Sequence, residues 1–189
     1  MGRNGTGGAD MPIMRTLGPG SLSSFMKAVL DVVWVLLLVV LAILGASLLY
    51  GVLAAFNPAM PFARLVLFEG LDPLQAWAVV LARLGTALLF VGGVLTIVSS
   101  LRRIFATLKA GDPFHPDNVT RLRVVAVGLA WLELVRYAVW TLGALLPPQA
   151  APDRPNLSLT AWFSILVVVV LAEVFREGAR LRRESELTI

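Results

Sequence analysis

Apolar residues along the chain fall into four long runs, separated by short segments rich in charges or proline. A helix that crosses the roughly 30 Å hydrocarbon core of a bilayer needs about 20 residues, and the runs have about that length. No alternating pattern of the kind that builds a β-barrel is present in the sequence, so backbone polar groups must be satisfied within helices. Four spans are therefore predicted, at residues 31–56, 76–101, 123–146 and 157–181.

Composition excludes a water-soluble domain. Hydrophobic residues make up 58% of the 189-residue chain and charged residues 15%, whereas about 25% of the residues in soluble domains are charged. A soluble domain of this size could not bury that much apolar surface. We therefore expect an all-α integral membrane protein, a four-helix bundle over residues 27–183. Residues 1–26 are expected to be a disordered segment, and residues 184–189 a short tail.

Lysine and arginine residues are distributed unevenly around the predicted spans. Twelve of the 16 lie before the first span, between the second and third, or after the fourth, whereas two lie in the opposite loops. Because basic loops of membrane proteins stay in the cytoplasm, both termini and the middle loop are predicted to be cytoplasmic. A cleaved signal peptide is the competing interpretation of the N-terminal run, but this run is too long and no convincing cleavage site follows it.

The middle loop contains signals for one helix end and one helix start. Gly111 fits the left-handed position that ends a helix, and Pro113 follows it. Asp117 or Asn118 is expected to cap the next helix. Phe114 is a large apolar residue in a turn, so we expect it to pack beneath the loop.

Two charged residues interrupt the third span. Glu133 and Arg136 are three residues apart, so they share a helix face and can form an ion pair. Charges at this depth are costly, and they suggest either a neutralising pair that fixes the rotation of the helix or part of a proton or ion pathway. Lys27 and Asp31, four residues apart at the entrance of the first span, predict a simple surface pair.

The C-terminal segment continues the fourth helix out of the membrane. Val174, Phe175, Gly178 and Leu181 fall on one helical face, with charged residues largely on the others. One interpretation is a solvated helix end held by ion pairs. The other is a docking surface for a cytosolic partner or an anionic lipid.

Few residues in this chain suit catalysis. It has no cysteine and one histidine, His115, which is isolated beside prolines as a loop residue would be. Disulfides and thiolate metal sites are excluded, and no catalytic set can be assembled on one face. We expect no enzyme activity, no metal site and no cofactor. The basic residues flank spans, so they indicate topology and headgroup contacts rather than direct binding to nucleic acid.

Two segments resemble a known family. Residues 111–118, GDPFHPDN, resemble a G-x-P-F-x-x-x-N motif after a second span. Residues 175–189, FREGARLRRESELTI, resemble an F-x-x-G-x-x-L…E-x-D-L-T-V ending, with Glu186 and Ile189 as mild departures. With four spans in this length, the chain from Lys27 to Ile189 resembles the bacterial membrane family called domain of unknown function 2975.

The resemblance implies a bacterial inner-membrane protein without an established activity. Members of this family are often encoded beside a Cro/repressor-type helix-turn-helix regulator, which implies a cytosolic transcription factor as partner. The residues that would bind it are those of the two motifs: Gly111, Phe114, Asn118, Phe175, Gly178, Leu181, Leu187 and Ile189. The alternative is a small transport or channel subunit that uses Glu133 and Arg136. Small residues at four-residue spacing, such as Ala42 and Ala46, also permit a homodimer.

Overall fold

Every regular element of the structure, a computed structural model that describes residues 19–57, 72–143 and 158–186, is an α-helix. No strand occurs in these three ranges. The four helices are α1 (Pro19–Phe56), α2 (Pro73–Lys109), α3 (Pro116–Gly143) and α4 (Leu159–Glu186). The predicted all-α class is confirmed, with one helix for each apolar run.

The helices extend beyond the predicted spans, mainly into polar sequence. α1 begins at Pro19, within the stretch expected to be disordered, while residues 1–18 lie outside the described part of the chain. α2 continues past residue 101 to Lys109, and α4 past residue 181 to Glu186. A search for apolar runs marks only the lipid-compatible part of a helix. The polar continuation of α4 is supported by ion pairs at helical spacing, such as that between Glu177 and Arg180.

Three of the helices are long and apolar enough to cross a membrane, by length and composition. They are Ser24–Phe56, Leu74–Lys109 and Leu159–Ser185. In the most apolar window of the first, no residue is buried inside the protein. Such a surface is compatible with a multi-pass membrane protein, whose helices expose apolar side chains to lipid. α3, which carries Glu133 and Arg136, is not among the three.

The helices pack in series, each against its neighbours in the chain. α1 contacts α2, α2 contacts α3, and α3 contacts α4. Among the described helices, no Cα pair within 8 Å joins α1 to α3 or α4, or α2 to α4. The expected bundle is therefore an open series of antiparallel neighbours, and its first and last helices do not close on each other.

Two glycines leave room for side chains of the opposite helix where α2 packs against α3. A Cβ atom added at Gly93 would lie 2.8 Å from Cδ2 of Leu132, and one added at Gly128 would lie 2.7 Å from Cγ1 of Ile97. These distances are shorter than any ordinary carbon contact, so the larger side chains of each helix use the space above the glycine of the other.

A looser small-residue contact joins α1 to α2. A Cβ atom at Gly51 would lie 3.3 Å from Cδ2 of Leu81, and Ala54 nearby is fully buried. Ala42 and Ala46, which the sequence analysis connects with a homodimer, are exposed.

A charged contact also joins α1 to α2, near the start of α1 and the end of α2. The Arg102 Nε donates to Oδ1 of Asp31 at 2.6 Å, and the guanidinium lies 4.3 Å from the ring centre of Trp34. The predicted Lys27–Asp31 surface pair is present at 3.8 Å, with both side chains 37% exposed, and Arg102 is a further partner of Asp31. Sequence spacing reveals only partners on the same helix, whereas the antiparallel neighbour brings Arg102 opposite Asp31.

Candidate functional site

The loop that carries the first motif begins at a well-defined helix end. Gly111 has φ of +81°. Its N–H donates to the carbonyl of Leu108 at 3.1 Å, and the N–H of Asp112 donates to that of Thr107 at 3.0 Å. This pair of bonds satisfies carbonyls in the last turn of α2. The prediction that Gly111 ends the helix in the left-handed conformation is confirmed.

Asn118 joins the end of α2, the loop and the start of α3. Its side chain is 0% exposed. Its Nδ2 donates to Oγ1 of Thr107 at 2.7 Å and to the carbonyl of Pro113 at 3.0 Å. Its Oδ1 accepts a hydrogen bond from Nη1 of Arg121 at 3.0 Å. A buried amide with this many partners fixes the relative position of the three segments.

α3 is capped by His115 rather than by Asp117 or Asn118, so the capping prediction is wrong. Pro116 occupies the first helical position, and the Nδ1 of His115 accepts the N–H of Asp117 at 3.2 Å. Proline is favoured at that position because it has no N–H to satisfy, and it fixes the helix start two or three residues earlier than a cap at Asp117 or Asn118 would. Asn118 then points into the interior instead.

Phe114 brings the two motifs together. Its ring centre lies 5.7 Å from that of Phe175 on α4, with the ring planes tilted by 47°, a favourable aromatic arrangement. A Cβ atom added at Gly178 would lie 2.6 Å from Cε1 of Phe114, so the ring occupies the space that the glycine leaves. Phe114 therefore packs against α4, whereas the sequence analysis expects it to pack beneath its own loop.

An ion pair also holds this loop against α4, and a small apolar core joins the three helices around it. Asp112 pairs with Arg182 in the last turns of α4. Ile104 of α2, Leu122 of α3 and Ala172 of α4 form one buried apolar cluster. We call residues 111–118, packed in this way against α4, the docked loop.

The structure brings most of the predicted partner-binding residues into this one unit: Gly111, Phe114, Asn118, Phe175 and Gly178. Leu181 is exposed on α4. Leu187 and Ile189 lie outside the described residues. The binding role of these residues stays a prediction.

Sequence reasoning missed three residues of this unit. Thr107 binds Asn118, and Asp112 pairs with Arg182. The opposite charges of Asp112 and Arg182, one within each motif, were the available signal. Nothing local in the sequence marks Thr107, because its hydroxyl has a partner on the next helix.

The predicted pair within α3 is present. Nη2 of Arg136 lies 2.5 Å from Oε2 of Glu133, whose side chain is 14% exposed. The guanidinium also lies 5.3 Å from the ring centre of Tyr137. The carboxylate therefore has a close counter-charge in a largely shielded position. Within the described ranges, no group of three or more histidines, aspartates or glutamates could hold a metal ion.

Comparison with known proteins places the docked loop and both motifs within one family. The family described as Protein of unknown function (DUF2975) matches residues 68–189, nearly two thirds of the chain. No curated protein and no solved structure matches the chain. The family match covers α2, α3 and α4 but not α1, so it begins later than Lys27, where the sequence analysis starts the resemblance. On this match, the chain belongs to the DUF2975 family.

Proposed function

We propose that this chain is a bacterial inner-membrane protein with four spans, both termini in the cytoplasm, and a docking role for a cytosolic regulatory protein. Three long apolar helices support insertion, and the lysine and arginine bias supports the orientation. The docked loop then lies on the cytoplasmic side, because it connects the basic end of α2 to α3.

The position of α3 supports its assignment as the remaining span. α3 packs against both α2 and α4, from Asn118 at one end to Leu132 further along. A helix held between two spanning helices shares their direction through the bilayer. The ion pair between Glu133 and Arg136 reduces the cost of placing these charges in lipid, since each is stabilised by the other.

The observation that carries the functional proposal is the Phe114 ring over Gly178. Two segments about 60 residues apart in the chain are in contact. The contact requires a glycine within α4, at Gly178, and a left-handed backbone conformation at Gly111. Crossing a membrane requires neither feature. A fixed surface at the cytoplasmic ends of three helices suits recognition of another protein. The kind of partner, a helix-turn-helix regulator, is taken from the resemblance.

Co-purification tests this proposal. The full chain and the regulator encoded beside its gene are expressed together, and the complex is isolated in mild detergent. G178A should displace Phe114 and lower the recovery of the regulator about fivefold or more, an effect of roughly 1 kcal/mol. Deletion of residues 184–189 should act in the same direction if the tail joins the docking surface.

Two control variants separate docking from other effects. G85A alters a helical glycine with no neighbour within 4 Å of the added Cβ, so it should leave recovery unchanged. Substitution of Glu133 and Arg136 by leucine should also leave it unchanged. Normal recovery with G178A and with the deletion would contradict the proposal. Loss of ion flux in the double leucine variant, with intact insertion, would favour the transport alternative, for which the shielded pair is the supporting observation.

A further inference from the structure

A groove of about 630 Å³ lies between the first turns of α3 and the polar end of α4. Its charged lining residues are four arginines and two glutamates: Arg123, Arg176, Arg180, Arg183, Glu177 and Glu184. Val119, which is buried, and Ala179 add an apolar part to the lining. The groove is therefore positively charged overall and attracts anions.

Two of the four arginines in the groove carry uncompensated charge. Arg176 and Arg180 pair with glutamates of their own helix. Arg123 and Arg183 have no carboxylate partner in the described part of the chain. A guanidinium group has a planar set of donors that matches phosphate oxygens, and two such groups lining one groove favour a phosphate between them.

The basic groove continues into an exposed apolar surface. Val127 lies one helical turn beyond Arg123 on α3 and is 69% exposed. Val169 lies two turns from Arg176 towards the apolar end of α4 and is 50% exposed. Beyond Glu173, which pairs with Arg176, apolar side chains follow the positive charge along both helix axes, which is the order of phosphate and acyl chain in a phospholipid.

We propose that this groove binds the phosphate group of an anionic phospholipid of the cytoplasmic leaflet, with its acyl chains along Val127 and Val169. Basic pockets between the cytoplasmic ends of spanning helices suit such headgroups. In the proposed insertion Val127 and Val169 face the acyl chains of the bilayer, so a lipid reaches the groove from the apolar side, whereas an acidic protein segment would satisfy the arginines alone. The inference rests on the proposed membrane insertion and is independent of the regulator.

Lipid retention by the full-length chain tests the inference. The protein is purified in a neutral detergent, titrated with phosphatidylglycerol or phosphatidylcholine, and examined by native mass spectrometry. We expect one phosphatidylglycerol to be retained and phosphatidylcholine to be retained about tenfold less. The variant R123Q/R183Q should weaken retention of phosphatidylglycerol about thirtyfold, because it removes two basic residues and each one near an anionic lipid contributes on the order of 1 kcal/mol.

A matched variant controls for the loss of two charges. R103Q/K109Q removes one arginine and one lysine that also lack a carboxylate partner among the described residues and that lie outside this groove. It should keep most of the phosphatidylglycerol binding, as should R123K/R183K, which preserves the charge. Circular dichroism and the elution volume show whether each variant remains folded.

Several results would overturn the inference. Equal retention by wild type and R123Q/R183Q would remove the groove as the site, and an equal loss in R103Q/K109Q would show that the attraction is diffuse. Binding of inorganic phosphate as tight as that of phosphatidylglycerol would indicate a soluble anion. If R123Q/R183Q impaired recovery of the regulator but not retention of lipid, the groove would be a protein-binding surface. Failure of the G178A experiment alone would leave the lipid site intact.

Discussion

Asn118 shows how one buried side chain can organise one end of a set of packed helices. Its amide reaches Thr107 on α2 and the Pro113 carbonyl in the docked loop, while its oxygen accepts a bond from Arg121 on α3. An amide fully removed from solvent contributes little if every bond is made, but leaving its partners without bonds is expensive.

Replacement of Asn118 by alanine should therefore lower the free energy of unfolding by about 1–3 kcal/mol, because the Thr107 hydroxyl and the Pro113 carbonyl lose the donor of a part-buried hydrogen bond. Thermal or denaturant unfolding in detergent, followed by circular dichroism, measures the change. H115A removes only a partly exposed capping bond in the same loop, which should cost about 0.5–1 kcal/mol. Equal losses in the two variants would show that burial of Asn118 has no special role.

At this scale the sequence predicts what is locally determined. Gly111 was correctly assigned, because a left-handed helix end has a preferred residue and a characteristic neighbour in Pro113. Asn118 was misassigned as a cap, since its partner Thr107 belongs to another helix. The contact between Phe114 and Gly178 could not be predicted, as neither residue carries a local signal of the other.

The packing of two helices against each other depends on where small residues allow them to approach closely. Gly92 and Gly93 are adjacent in α2, yet only Gly93 faces α3, where an added Cβ would lie 2.8 Å from Leu132. The same addition at Gly92 has no neighbour within 4 Å. The two positions therefore separate helix propensity from interhelical packing.

We expect G93A to destabilise the chain by about 1–3 kcal/mol, because Leu132 must move away from α2. G92A should be neutral, or stabilising by about 0.5–1 kcal/mol, since alanine restricts the unfolded backbone and suits a helix. The comparison uses the same unfolding measurement on both variants. A similar loss from each would mean that backbone flexibility, and not contact with Leu132, explains the glycines.

The sequence predicts the existence of each helix better than its contacts with neighbouring helices, and the reason is physical. The existence of each helix follows from its apolar run, and the Glu133–Arg136 pair follows from three-residue spacing. The continuation of α4 into polar sequence is also predicted and confirmed, whereas the start of α1 at Pro19 and the Gly93 contact are not predicted. Sequence spacing describes one helix at a time, so the face that meets a neighbour stays hidden when apolar residues surround the helix.

The orientation of the whole molecule is testable because the chain lacks cysteine. Single cysteines are introduced at Asn57, Ala110, Leu159 and Ser185, at or near the helix ends. In intact cells, a membrane-impermeant maleimide should label positions 57 and 159 but not 110 and 185, as expected for four spans with cytoplasmic termini. Labelling of all four after permeabilisation is the control. Identical accessibility of positions 110 and 159 would mean that α3 does not cross.

The serial arrangement is a whole-molecule property that the number of apolar runs does not determine. Four spans can form a closed bundle or an open series, and the sequence analysis expected a bundle. The choice depends on contacts such as Arg102 with Asp31 and Gly93 with Leu132, which join successive helices. The family match leaves out α1, which contacts only α2 among the described helices.

An open series also matters for biosynthesis. Each helix that leaves the ribosome can pack against the helix synthesised just before it. Among the described helices, no helix–helix contact joins elements that are not successive in the chain. Interactions between sequence neighbours form quickly and require little chain search. Truncated chains ending after α2 or α3 should thus already hold their hairpins together while translation continues.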